Sequence, residues 1–135
     1  MFVGRLEKVK NIRWLIETFA EAIKRSSNNI SLLIMGEGSQ RQDLEEFVKN
    51  KHLEENIKFG GWVKLLFTYY KDTACVLFPS FSEGYGLVPL EAADYGAKLI
   101  MSDVGVANYE LKPSERVKII PLSARQAWVE AILNI

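Results

Sequence analysis

Five short apolar runs recur along the chain: Phe2-Val3, Ile30 to Met35, Ile57-Lys58-Phe59, Ala74 to Phe78 and Lys98 to Met101. Each has the length and composition of a buried strand. Between them the apolar residues fall three and four apart, as in Trp14, Leu15, Thr18, Phe19, Ala22 and Ile23, the spacing of a helix laying one face on a sheet. A second helix is read from Gln40 to Lys51, with Leu44, Phe47 and Val48 as its apolar face and Ser39 as its N-cap. Further helices are expected over Lys64 to Lys71, Val88 to Tyr95 and Ala124 to Leu133, with a last strand at Val117 to Ile120. Such β-α alternation demands parallel strands, right-handed crossovers and helices on both faces of the sheet. At 135 residues there is room for one domain. The expected fold is therefore a doubly wound, Rossmann-like α/β domain.

Charge and cysteine usage narrow the function classes. Seventeen Lys plus Arg balance seventeen Asp plus Glu, so no global field recruits nucleic acid, and any anion site must be local. Cys75 has no second cysteine to pair with, and the N-terminus lacks the long apolar stretch of a signal peptide, which makes the cytoplasm the expected compartment. No run reaches the roughly 18 apolar residues of a membrane span. With one histidine and one cysteine, no metal-ligand cluster is expected. His52, near the end of a polar helix, reads as an exposed or helix-terminal residue, and Cys75, inside an apolar run, as an inert core thiol.

In doubly wound sheets ligands bind at the carboxyl ends of the strands. The residues there are Gly4-Arg5-Leu6 through Lys10, then Gly36-Glu37-Gly38, Gly61-Trp62-Val63, and Pro79 through Gly86. Gly36-Glu37-Gly38 is not a dinucleotide fingerprint, because Arg41 stands where the third glycine belongs and the motif follows the second strand. It reads either as a tight strand-to-helix turn or as lining of a nucleotide cleft. No lysine-bearing phosphate loop of the Walker type is present.

The strongest signal is Glu83-Gly84-Tyr85-Gly86-Leu87-Val88-Pro89-Leu90-Glu91. Pro89 fits the first turn of a helix, which places the helix start near Leu87 or Val88, leaves Glu83 on the loop and sets Glu91 about one turn inside. Gly84 and Gly86 let the main chain approach a ligand, and the open amides of a helix start favour an anion or electron-rich oxygens. Ionised carboxylates accept hydrogen bonds only, which suits the vicinal hydroxyls of a sugar or ribose. The same spacing also fits a surface or capping Glu91 and a Glu83 that merely complements the helix dipole.

The stretch Pro79 to Gly96 resembles the E-x7-E region of glycosyltransferase family 4, retaining enzymes of the two-lobed GT-B fold. Gly4-Arg5-Leu6 with Lys10 is similar to that family's G-R-L-x-x-x-K segment, Ile34 to Gly38 to its strand and G-x-G turn, and Gly61-Trp62-Val63 to its nucleobase loop. The matches keep the family's order and cover about residues 2 to 110. The resemblance implies the C-terminal, nucleotide-sugar-binding lobe alone. It implies that Arg5 and Lys10 neutralise the donor diphosphate, that Glu83 faces the donor hexose, and that Glu91 binds the ribose. It further implies donor contacts at Gly4, Gly36, Gly38, the main chain of Val63, and Gly84, Tyr85, Gly86 and Leu87. The donor would be a UDP- or GDP-hexose, transferred with retention to a polysaccharide, lipid or other acceptor, without a metal or other cofactor.

The chain departs from the family's pattern in places. Gly96-Ala97-Lys98-Leu99-Ile100 stands where a G-x-P-V-I pattern is usual, Gly105-Val106 where two glycines are common, and Glu115 to Pro121 where a glycine-bearing strand is found. Only three residues precede Gly4, so the expected chain is a lobe truncated at its N-terminus that needs a separate N-terminal acceptor lobe for transfer. Two other classes compete: a non-catalytic nucleotide-sugar-binding or interaction module, and hydrolysis by the Glu pair, which the diphosphate-type cations argue against. Trp62, Leu65, Leu66, Phe67, Tyr69 and Tyr70 leave peripheral contact with the inner face of a membrane open, beside ordinary helix packing.

Overall fold

The computed structural model describes residues 1–108 and 110–135. Strands and helices alternate: β1 (Phe2–Val3), α1 (Ile12–Arg25), β2 (Leu32–Met35), α2 (Arg41–Asn50), β3 (Ile57–Gly61), α3 (Phe67–Asp72), β4 (Val76–Phe78), α4 (Leu87–Asp94), β5 (Leu99–Met101), β6 (Val117–Ile119) and α5 (Arg125–Leu133), with 3-10 turns at Lys8–Lys10 and Gly105–Asn108. All pairings are parallel. They form two three-stranded sheets, β1-β2-β3 and β4-β5-β6. The sheets meet along β1 and β4, where the Met1 main-chain nitrogen donates to the Cys75 carbonyl at 2.7 Å and the Leu77 amide to the Met1 carbonyl at 2.8 Å. The strands thus lie in the order 3-2-1-4-5-6, the doubly wound arrangement the alternation predicts.

Each strand divides its apolar residues between two cores, because successive side chains point to opposite faces. Phe2, Leu32, Ile34, Leu77 and Ile100 join α1, α2 and α5 on one face. Val3, Met35, Val76, Phe78, Leu99 and Met101 join Tyr70 of α3 and Ala92 of α4 on the other. Continuous apolar runs, not alternating ones, follow from burial on both faces. Trp128 of α5 is fully buried, edge-on to Trp14 of α1 at 5.3 Å, and donates its indole N–H to the Ile120 carbonyl at 3.1 Å.

Several boundaries differ from the sequence reading. The second strand starts at Leu32, since the Ile30 carbonyl is taken by the Asn56 side-chain amide at 2.9 Å. Helix α3 starts at Phe67 and not Lys64, because the Leu65 carbonyl accepts from the Thr68 hydroxyl and amide in a turn. Ser39 does not cap α2. Gln40 holds the cap position with no side-chain bond, while the Ser39 hydroxyl donates to Glu7 at 2.7 Å. His52 lies just past α2 with a left-handed backbone, and Cys75 is a buried free thiol.

Candidate functional site

With every strand parallel, the loops after β1, β2, β3 and β4 leave one edge of the sheet. The first two are fastened together by main-chain bonds from Gly4 to Met35 (3.0 Å), Leu6 to Glu37 (2.9 Å) and Gln40 to Leu6 (2.9 Å). Glycine is required where they cross. A Cβ on Gly36 would stand 1.9 Å from the Gly4 carbonyl oxygen, and one on Gly38 2.6 Å from the Leu6 main chain. Glu7 completes the junction by accepting from the Ser39 hydroxyl and amide, which holds its carboxyl below the usual range. Gly36 and Gly38 thus act first as packing residues of this junction.

A cleft of about 250 Å³ opens above it, lined by Gly4, Arg5, Gly36 and Glu37 on one side and by Trp62, Val63 and Val88 on the other. Gly38 is outside that lining. The Arg5 side chain is exposed; its carbonyl accepts from the Glu7 amide at 2.9 Å, and its charge helps to lower the Glu7 carboxyl. Leu66 lines both this cleft and a neighbouring hollow formed with Lys64, Phe67, Tyr70, Glu91 and Tyr95. There the Tyr70 hydroxyl donates to Glu91 at 3.5 Å, and its ring stacks at 5.8 Å on Tyr95, which stacks in turn on Phe67 at 6.0 Å. Burial first, and then the Glu91 carboxylate, hold the Tyr70 phenol above its ordinary pKa, so it stays protonated as a donor.

The β4-α4 loop supplies the rest. Helix α4 begins at Leu87 behind Gly86, a left-handed cap at φ 91° without any side-chain bond, so the first-turn amides keep no intrahelical partner. Pro89 lies in that first turn and Glu91 just beyond it. Glu83 is turned inward. Lys10 and Glu83 form a direct ion pair, with their side chains only 14% and 11% exposed. The Lys10 ammonium also sits 5.2 Å from the Phe78 ring centre, and its Cε stands 3.9 Å from the position of a Gly4 Cβ. The loop is tied back by Phe81 to Val9 (2.8 Å) and Val106 to Tyr85 (2.8 Å). Gly84 faces open space, and Tyr85 and Leu87 are exposed.

The structure therefore brings Arg5, Lys10, Glu83 and Gly4 to one edge and sets Glu91 in the adjoining hollow. The two glutamates have different partners. Sequence reasoning missed Tyr70 and Phe78 as neighbours of the candidate residues. Phe78 reads as strand packing and Tyr70 as helix packing or peripheral membrane contact, and no local signal marks a partner so far along the chain. Among the described residues no group of acidic, histidine or cysteine side chains could hold a metal, and no helix is long and apolar enough to cross a membrane.

A doubly wound lobe with cations after its first strand and a carboxylate-bearing turn after its fourth is an α/β fold of the Rossmann-like class. Comparison with known proteins is more specific. The family model for glycosyl transferases group 1 matches residues 1–135, and the chain belongs to that family. It is 35% identical over 107 residues to an uncharacterized glycosyltransferase of Methanocaldococcus jannaschii, covering 78% of this chain and 27% of that protein. It is 38% identical over 105 residues to the GtfA subunit of the UDP-N-acetylglucosamine–peptide N-acetylglucosaminyltransferase of Streptococcus agalactiae, covering 78% of this chain and 20% of the relative. Among solved structures, the pneumococcal O-GlcNAc transferase GtfA in complex with UDP and GlcNAc superposes with a TM-score of 0.86 at 30% identity, over 98% of this chain and 28% of that one. Staphylococcus aureus TarM matches in fold with a TM-score of 0.90 at 24% identity, over 98% of this chain and 27% of TarM. The fold is a single Rossmann-like lobe of the GT-B glycosyltransferases. The chain spans about a quarter of the length of these relatives.

Proposed function

We propose that this chain is the C-terminal, donor-binding lobe of a retaining, family 4 glycosyltransferase that holds a nucleoside diphosphate hexose. The observation that carries the reading is the meeting of Lys10 with Glu83 beside Gly4 and the start of α4, 73 residues apart in the chain. In the proposed complex Arg5 and Lys10 bind the diphosphate. The departing nucleoside diphosphate gains charge in the transition state, and two cations with the α4 amides stabilise that state more than the ground state. Glu83 accepts from hexose hydroxyls, and Glu91, oriented by Tyr70, accepts from the ribose. The base lies against Trp62 and the Val63 main chain. The chemistry asks for no metal, since fixed cations meet the leaving group.

Sugar transfer then needs a second lobe to present the acceptor, a reading supported by the short share of its relatives that this chain spans. A solved GtfA/B complex contains a relative of this fold together with a partner subunit. The GtfA complex with UDP and GlcNAc favours UDP over GDP as the first nucleotide to test.

Calorimetric titration of the chain with UDP, GDP and ATP tests the reading. UDP or GDP should bind saturably and ATP poorly. Arg5→Ala should weaken binding by about 1.5 to 3 kcal/mol, roughly ten- to a hundredfold, as the loss of a charge-assisted contact. Glu91→Ala should weaken it as well, in a chain that circular dichroism shows to be folded. Binding that ignores both substitutions would overturn the site assignment.

A further inference from the structure

We propose that the Lys10–Glu83 pair is a selector that makes the site prefer a sugar-bearing nucleotide over the free nucleoside diphosphate. This deepens the donor-lobe reading and rests on it. Without ligand, the charge that would meet the diphosphate is already committed: Lys10 is in direct contact with Glu83, both side chains are largely shielded from water, and the Phe78 ring covers the ammonium. The Arg5 guanidinium, by contrast, is exposed to water and acts among the described residues through its charge on the Glu7 carboxylate. The two cations therefore differ. Arg5 meets a diphosphate without breaking a shielded contact, whereas Lys10 must give up a shielded carboxylate.

What happens to Glu83 next decides the selectivity. A shielded carboxylate stripped of its cation is disfavoured unless other donors replace it. The terminal phosphate of a free nucleoside diphosphate brings only acceptor oxygens to this pair, so it draws Lys10 away and leaves Glu83 uncompensated beside new negative charge. A nucleotide sugar brings hexose hydroxyls, which are donors, to the same carboxylate. The loop cannot easily swing Glu83 out to water. Gly105 packs against it, with a Cβ there standing 2.9 Å from the Glu83 Cβ, and the Tyr85 carbonyl is held by the Val106 amide. The consequence is retention of donor and release of product nucleotide by one ion pair.

The substitution that tests this has an unusual expected sign. Glu83→Gln is nearly isosteric, frees Lys10 and leaves a neutral amide in the pocket. Calorimetry of the chain with UDP and with UDP-N-acetylglucosamine, and with GDP and GDP-mannose in parallel, should show the free diphosphate binding Glu83→Gln about tenfold tighter than wild type. The sugar nucleotide should bind no tighter, so the preference for it falls. Arg5→Ala should weaken both ligands alike. If wild type binds nucleotide and Arg5→Ala weakens it, the donor-lobe reading stands. Unchanged or weaker binding of free diphosphate by Glu83→Gln then overturns the selector alone. If wild type binds none of the four, both fall. Circular dichroism confirms that each variant is folded, and Glu83→Ala replaces Glu83→Gln if that variant is not.

Discussion

Cys75 illustrates how burial alone fixes the chemistry of a side chain. It lies in the core shared by β1, β4 and α5, and burial pushes its thiol from the usual 9.0 up to about 11. Reactivity belongs to the thiolate, so an aromatic disulfide reagent at pH 8 should leave the folded chain unlabelled and label one thiol at once in denaturant. The linkage sign follows from the direction of the shift. Between pH 9 and 11 the folded chain holds the thiol proton that the unfolded chain has released, so stability is intact below pH 9 and declines as pH rises through 11. Tyr70, also raised, loses stability in the same direction but at higher pH. Cys75→Ala should therefore flatten the slope of urea midpoint against pH between 9 and 11 while lowering stability at pH 7 by a small cavity term. An unchanged slope would place the alkaline loss elsewhere. The same reasoning explains what the sequence could show of the site. Arg5, Lys10, Glu83 and Glu91 are legible as residue types beside glycine turns, but the bonds of Lys10 to Glu83 and Tyr70 to Glu91 join residues 73 and 21 apart, beyond any local pattern.

At the scale of the elements, loops carry the exacting geometry and helices follow their periodicity. The apolar spacing of α1 is met by a buried face of Ile12, Leu15, Ile16, Phe19 and Ala22, and α4 begins where Pro89 required. Ser39 departs from the expected cap for a physical reason: a hydroxyl beside a helix start is a local cap only when no stronger acceptor arrives, and Glu7 arrives from another loop. The glycines divide in a way the sequence does not reveal. Gly36, at φ 136° and with its Cβ position 1.9 Å from the Gly4 oxygen, has no room for any side chain, whereas Gly84 has nothing within 4 Å. Gly36→Ala should destabilise the chain by about 3 kcal/mol or more and separate the first two loops. Gly84→Ala should stay within about 0.5 kcal/mol of wild type. Urea denaturation of the two variants checks the contrast, and equal losses would mean that the loop junction is softer than its geometry. On the opposite side of the sheet, Trp128→Ala should cost about 3 to 5 kcal/mol, since it empties the contact between α5 and α1.

Across the whole molecule, the seam between β1 and β4 is the place where structure and proposed function meet. Within each three-stranded half the ladders are continuous, but between the halves the described main-chain bonds of the strands all run through Met1. The loops above the seam add Phe81 to Val9 and the shielded Lys10–Glu83 pair. The candidate site straddles this line: Gly4, Arg5 and Lys10 belong to the first half, Glu83 and α4 to the second. A ligand held at both sides would fasten the halves, and at a hundred times its Kd it would add about 2.7 kcal/mol to stability by mass action. Local opening reports where that gain is felt, because amide exchange follows the free energy of each cooperative unit. Saturating UDP, or GDP if that is the nucleotide bound, should slow exchange together in Leu6 to Lys10 and in the first turn of α4. The slowing should extend into Leu32 to Ile34 of β2 and into β5, which are not part of the cleft lining, because each half then opens only when the ligand leaves. Protection confined to one half would mean that the nucleotide sits on a single side of the seam, and that the two halves of the sheet are coupled by packing alone.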